Sequence, residues 1–248
     1  MHGPSAPMPP LPRPLPVLLH GFLGFRHVGP IHYFRGIEAA LRADGCVPLI
    51  PTLPPVGTVA DRAEVLASVL RRHPADAFVL LGHSMGGLDA RFLAAHLDPD
   101  HRVKAVVTVA TPHLGTAVAQ RLLDGGSPFS ALARRYLRAA LRELDPEVRR
   151  REPILDRVGV DYISYAATRP ASELPLWLAP FTKTAKYAND GLVELKSAAW
   201  GEFRGSVRAD HFEVVGWSLG LPNRAAGRPF DHIMFWRQIA DHASRIAS

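Results

Sequence analysis

One serine in this chain stands where a reaction could be built around it, in Val79-Leu80-Leu81-Gly82-His83-Ser84-Met85-Gly86-Gly87-Leu88. A short apolar run ends in Gly-x-Ser-x-Gly, and a helix-compatible segment follows. That order suits a strained strand–turn–helix, in which Gly82 and Gly86 flank the serine where a Cβ would clash with the neighbouring strand or helix. The turn lifts the hydroxyl clear of a sheet, and the backbone N–H of Met85 opens a helix towards the same space. A hydroxyl is a poor nucleophile until a base takes its proton. In this arrangement an acid and then a histidine follow the serine along the chain. Asn189-Asp190-Gly191 is a turn signal between two less polar stretches, and His211 follows at the end of residues 206–209. The roles expected are nucleophile for Ser84, proton acceptor and donor for His211, and orienting carboxylate for Asp190. Charge on a tetrahedral oxygen would be met by the backbone N–H groups of Met85 and Phe22.

Other residues compete for these roles. His232 lies inside a helical pattern, where a surface or packing role is expected. His20 and His113 fall at strand ends but precede any acid in the required order. His83 is expected to point the wrong way across the turn. Asp145, Asp156 and Asp161 sit at helix ends or strand starts, the ordinary places for solvation or capping. Asp210 reads as a bystander, because neighbours on an extended chain point apart. A substrate pocket or lid is expected to draw on Leu23, His113, Leu132, Tyr136, Leu176 and Trp177.

The elements that must position these groups follow from periodicity. Apolar runs at 16–20, 46–50, 77–81, 103–110 and 160–166 predict strands. Helical spacing appears at 33–43, 59–70, 86–96, 129–144 and from about 231. Thr58 with Asp61 offers a helix N-terminal capping pattern. Strands alternating with helices predict an α/β fold, with a mainly parallel sheet flanked by helices on both faces. Such sheets carry their sites at the carboxyl ends of strands, where His20, Ser84 and Thr111-Pro112-His113 fall. Residues 1–15 read as a proline-rich lead-in and 16–248 as one domain. The rhythm breaks across about 117–186, which predicts a helical lid or cap inserted over the strand ends.

Bulk properties exclude several classes. At 47% hydrophobic and 21% charged residues, the 248-residue chain is ordinary for a globular protein. The net charge of +6 comes mostly from arginine, much of it between Arg134 and Arg157, which reads as a solvated helix face. There is neither zinc-finger spacing nor aromatic–basic interleaving, so nucleic acid is not an expected partner. Cys46 is the single cysteine, so no internal disulfide can form and a reducing compartment fits. With neither a membrane-length apolar run nor a signal peptide, a cytoplasmic location is expected.

His20-Gly21-Phe22-Leu23-Gly24-Phe25, Gly82-His83-Ser84-Met85-Gly86-Gly87, Thr111-Pro112-His113-Leu114-Gly115-Thr116, Asn189-Asp190-Gly191-Leu192-Val193 and Asp210-His211-Phe212-Glu213-Val214-Val215 come in order. Together they resemble the bacterial triacylglycerol lipases of the α/β-hydrolase fold. The resemblance implies a carboxylic-ester hydrolase with Ser84, Asp190 and His211 as its triad, an acyl-ester or lipid substrate, a mobile lid and transient contact with lipid surfaces. It also implies a disulfide, which this chain cannot make, and a calcium ion near the histidine loop. Glu213 stands where the family has Asp two residues after the histidine, and Trp217 where it has a glutamine. The expectation is no cofactor, with calcium as the alternative: an indole side chain cannot ligate it, though a backbone carbonyl at the same position can. Acyl transfer or thioester hydrolysis by the same nucleophile is the alternative, followed by a non-catalytic lipid-binding module.

Overall fold

The computed structural model describes residues 13–124, 131–175, 178, 187–218 and 230–246, with the side chains of 131–135 and 246 left aside. In chain order the elements are β1 (Leu15–Leu19), β2 (His27–Val28), β3 (Ile31–His32), α1 (Ile37–Ala43), α2 (Val59–Arg72), β4 (Phe78–His83), α3 (Met85–His96) and β5 (Val103–Val109). Then come α4 (Ala117–Leu123), α5 (Ala131–Glu143), α6 (Pro146–Arg151), β6 (Asp161–Ala167), α7 (Leu195–Ala198), β7 (Glu202–Val207) and α8 (His232–Ile246).

β1, β4 and β5 are largely apolar, broken only by residues such as Lys104 and Thr108, because both faces of their sheet are covered. Leu18, Val79, Leu81, Val107 and Val109 pack on one face with Phe34, with Ile37 and Leu41 of α1, and with Trp236 of α8. The alternate residues Val17, Leu19, Phe78, Leu80 and Val106 pack on the other against Leu66 and Leu70 of α2 and Leu93 of α3. Trp236 is fully buried, and its indole N–H donates to the Val214 carbonyl at 2.7 Å, so its polar edge stays satisfied. Thr58 and Asp61 form the expected capping box at the start of α2.

The five-stranded sheet runs β1-β4-β5-β6-β7, and every pair is parallel. All the carboxyl ends therefore share one rim. The loops leaving β1, β4, β5, β6 and β7 carry Phe22, Ser84, Thr111, Arg169 and His211 to that rim.

Several sequence expectations need correction. Residues 46–50 form no strand; Leu49 makes one parallel bridge to Val17. Leu18 N–H donates to Leu49 and Leu49 N–H to Pro16, but Pro48 and Pro51 have no N–H with which to extend the ladder. The first helix begins at Ile37 rather than 33, because Gly36 takes a left-handed conformation at φ 71°. Of the helix expected at 129–144, α5 accounts for 131–143, and Phe129 lies outside the described residues. Asp145 then caps a new helix, α6, accepting from the amides of Glu147 and Val148, with Pro146 in the first turn. The span 117–186 is not one cap, since β6 lies within it and pairs with β5 and β7. The helical excursion consists of α4 to α6, between β5 and β6.

Candidate active site

Ser84 sits between β4 and α3 at φ 55° and ψ −131°, a strained backbone for a residue with a Cβ. The strain persists because close packing fixes the turn. A Cβ on Gly82 would lie 2.5 Å from the amide nitrogen of Gly87, and one on Gly86 would lie 2.8 Å from the His20 carbonyl. The Thr111 hydroxyl donates to the Ser84 carbonyl at 2.8 Å and ties the turn to the end of β5.

The three residues picked out by type and order meet. Ser84 Oγ is 3.0 Å from His211 Nε2, and His211 Nδ1 is 2.8 Å from Asp190 Oδ2. Asp190 is fully buried, and its other oxygen accepts the amides of Leu192 and Val193 at 2.9 and 2.7 Å. A carboxylate only accepts, so Nδ1 carries the imidazole proton and Nε2 turns its lone pair to the serine hydroxyl. That is the arrangement in which a serine can lose its proton as it attacks.

Beside the hydroxyl runs the loop after β1. A Cβ on Gly21 would fall 2.7 Å from Ser84 Cβ, so only glycine lets this backbone pass. The next amide, Phe22, has no acceptor among the described residues, whereas Leu23 N–H donates to Pro55. Met85 N–H opens α3, where the helix itself supplies no acceptor. Both amides are therefore available to a developing oxyanion.

Two residues that the sequence reading set aside or overlooked hold this corner. His83 Nε2 is 3.0 Å from the His211 carbonyl, so it must donate, and Nδ1 accepts the Tyr33 hydroxyl at 2.7 Å. Tyr33 oxygen accepts the Gly21 amide at 3.1 Å. One chain of hydrogen bonds thus joins the β1 loop, the serine turn and the histidine loop, so His83 does not point away from the site. Burial, with His211 beside it, holds the His83 imidazole well below its usual pKa. Burial pushes the Tyr33 phenol up to about 12, so it remains a donor. Behind the same loop, His20 Nε2 accepts the Leu53 amide at 3.1 Å, and its Nδ1 is 3.0 Å from the Gly21 carbonyl. Arg62, fully buried, pairs with Asp89 at 2.7 Å and donates to the carbonyls of His20 and Pro54.

A cavity of about 570 Å³ opens at Ser84 and His211, within the range of small-molecule sites. Phe22, Leu23, Phe25 and Ile31 line one side, and Leu122, Leu137 and Leu141 of α4 and α5 the other. Of the residues expected to line it, Leu23 does so. His113 does not: it is buried between Arg91 and Thr108, at 3.1 and 3.0 Å, and stacks on Trp200. Tyr136 is 70% exposed on the outer face of α5, one position away from Leu137. The Leu132 side chain, Leu176 and Trp177 lie outside the described residues. Asp210 is no bystander. Its Oδ1 accepts the amides of Phe212 and Glu213 at 2.8 and 2.9 Å, turning the chain just after His211. Among the passed-over residues, Asp156 pairs with Arg91 at 2.8 Å and His232 bonds the Arg35 carbonyl.

Known proteins of similar sequence and shape can now be set beside this geometry. A family described as alpha/beta hydrolase fold matches residues 50–144. Triacylglycerol lipase 2 of Saccharomyces cerevisiae is 27% identical across 87% of this chain and 74% of its own length. A triacylglycerol lipase of Pseudomonas fragi is 35% identical, but over 43% of this chain and 37% of that enzyme. Among solved structures, a metagenomic carboxyl esterase superposes with a TM-score of 0.73 at 23% identity, over 98% of this chain and 80% of that one. A Staphylococcus hyicus lipase superposes at 0.67 and 15% identity, covering 98% of each chain.

Proposed function

We propose that this chain, which has the α/β-hydrolase fold, cleaves carboxylic esters through an acyl-enzyme formed on Ser84. One observation carries the reading: the unbroken line from Ser84 Oγ to His211 to Asp190, with bonds of 3.0 and 2.8 Å, at the floor of an apolar cavity. Ser84 Oγ attacks the ester carbonyl while His211 Nε2 takes its proton. Asp190 steadies the imidazolium, and the amides of Phe22 and Met85 receive the oxyanion. His211 returns the proton to the departing alcohol; water then repeats the sequence on the acyl-enzyme and releases the acid. General acid–base action supplies roughly 10²–10⁴-fold, and each oxyanion donor about 3 kcal/mol.

The cavity supports an acyl group as the recognised part, because its walls are mainly leucines, phenylalanines, valines and an isoleucine. Similarity to triacylglycerol lipases supports a lipid ester. Leu23, Val28 and Ile31, all exposed, form an apolar rim that favours brief contact with a lipid surface. Among the described residues no helix is long and apolar enough to cross a membrane. Helices α4 and α5 are the proposed lid. A cytoplasmic location remains part of the proposal and is checked by cell fractionation.

The test is hydrolysis of p-nitrophenyl esters of graded chain length by wild type and Ser84→Ala. We expect the variant to lose roughly 10⁴-fold or more in kcat, with unchanged folding by circular dichroism. Equal turnover by the two proteins would remove Ser84 as nucleophile.

A further inference from the structure

The loop that carries His211 is tied to the loop that carries Asp190 by a buried arginine outside the reacting trio. Arg169 follows β6 and is 6% exposed. Its backbone N–H donates at 2.9 Å to the carbonyl of Asn189, the residue before Asp190. Its guanidinium grips Glu213, two residues after His211, with Nε on Oε2 at 2.6 Å and Nη2 on Oε1 at 2.9 Å. Nη1 reaches Glu173 at 3.2 Å. Glu213 Oε2 also accepts the Asp210 amide at 2.8 Å, so the ion pair holds the backbone on both sides of His211.

The lipase resemblance implies a calcium ion near this loop. Calcium takes six to eight oxygen ligands, and the residues present do not fit it. Both oxygens of Glu213 are engaged by the guanidinium, and the Trp217 indole N–H donates to the Tyr33 carbonyl at 2.8 Å. A second cation here would meet like charge.

We propose that Arg169 is a built-in cation and a positioning residue, holding the histidine loop against the acid loop without a bound metal ion. This rests on the reading that Ser84, His211 and Asp190 react. A forked guanidinium–carboxylate pair is both strong and directional. Removing a buried cation leaves its anions uncompensated; without Arg169, Glu213 and Asp210 would repel each other while Glu173 kept its pair with Arg208, and the imidazole would drift from Ser84. The vacated space would match a guanidinium ion in shape and charge.

Wild type, Arg169→Ala, Arg169→Lys and Glu213→Gln are compared by turnover of p-nitrophenyl butyrate and by the rate of Ser84 labelling with a serine-directed phosphonate. Each is assayed with EGTA, with calcium chloride, and with guanidinium chloride at low, non-denaturing concentration. We expect wild type to be indifferent to EGTA and calcium. Arg169→Ala should lose roughly 100-fold in kcat with KM little changed, the scale of a misplacement of about 1 Å. Guanidinium should restore about tenfold, and Arg169→Lys, a point charge lacking the fork, should fall between. If Arg169→Ala does not fold, Glu213→Gln decides, with a loss of about tenfold expected from the weakened pair. Labelling of Arg169→Ala or Glu213→Gln at the wild-type rate overturns the proposal, as does a folded Arg169→Ala that guanidinium leaves unrestored. Loss of wild-type activity in EGTA, regained with calcium, also overturns it. Failure of wild type to label at Ser84 is a separate result, and it removes the functional reading itself.

Discussion

Ser84 and His211 stand at the same rim, yet different physics holds them there. The serine turn is fixed by close approach: Gly82, Gly86 and Gly21 pass backbone where a Cβ would overlap main-chain atoms or the serine itself. The histidine loop is fixed by polar bonds and charge: Asp190, Asp210 and Glu213 accept its amides or ring proton, and His83 and Arg169 brace it from behind. Steric confinement tolerates no side chain, whether the meeting backbone is local, as at Gly82 and Gly87, or brought from β1, as at Gly86 and Gly21. Polar confinement ranges from neighbouring residues, as Asp210 with Phe212, to residues as distant as His83 and His211, and it depends on protonation. A nucleophile must keep one position throughout, whereas a base must change charge during each turnover. The polar loop suits that second task, because its donors and acceptors respond to the imidazolium.

This contrast can be broken at several points. The largest effect should come from Asp190→Asn, on the polar side. The amides of Leu192 and Val193 would hold the amide oxygen, leaving its NH₂ to face His211 Nδ1. The imidazole would then present N–H to Ser84, and kcat should fall by roughly 10⁴-fold while the urea midpoint barely moves. On the steric side, Gly86→Ala should cost stability rather than rate. Its Cβ meets the backbone carbonyls of Leu19 and His20, which cannot swing away, so about 3 kcal/mol is expected, read from urea unfolding.

A pH series sharpens the same comparison. Burial first, with Arg62 adding to it, depresses the His20 imidazole from 6.5 to about 4. The folded state therefore resists a proton that the unfolded chain accepts. The stabilisation is complete above pH 6.5 and is lost as pH falls towards 4, amounting to about 3 kcal/mol. His83 is depressed likewise, so the contribution of His20 is read as the difference between wild type and His20→Asn in stability against pH. The smallest effect belongs to Tyr33→Phe. It frees the Gly21 amide and His83 Nδ1, two hydrogen bonds at about 1 kcal/mol each. A fall in kcat of a few fold at constant KM is expected, because the β1 loop would sit less firmly against Ser84.

The strands of the sheet were readable wherever apolar runs lay between turn residues, as at 77–81 and 103–110. At 46–50 the same apolar character misled, because prolines withhold the N–H groups a strand needs. β7 escapes the periodicity, since Glu202, Phe203 and Arg204 are all exposed and leave no buried apolar run. The bystander reading of Asp210 assumed an extended chain, but the chain turns there. His83 and Tyr33 were missed because a buried histidine next to a serine and a tyrosine before a helix look like packing. Their role depends on carbonyls and amides, which sequence does not display.

What the sequence by itself determined was therefore local: the glycine-flanked turn around Ser84, the capped α2, the Asn-Asp-Gly turn and the alternation that makes a parallel sheet. Each can be recognised from residues within a few positions of one another, even where distant backbone then locks it in place, as β1 does at Gly86. Only the tertiary structure decided that Leu137 rather than Tyr136 faces the cavity, that His113 is spent on Arg91, and that Arg169 occupies the centre of the acidic cluster beside His211. Those outcomes turn on which side chain meets which across loops far apart in the chain. That choice is made by the packing of the whole sheet and its helices, and no local rule carries it.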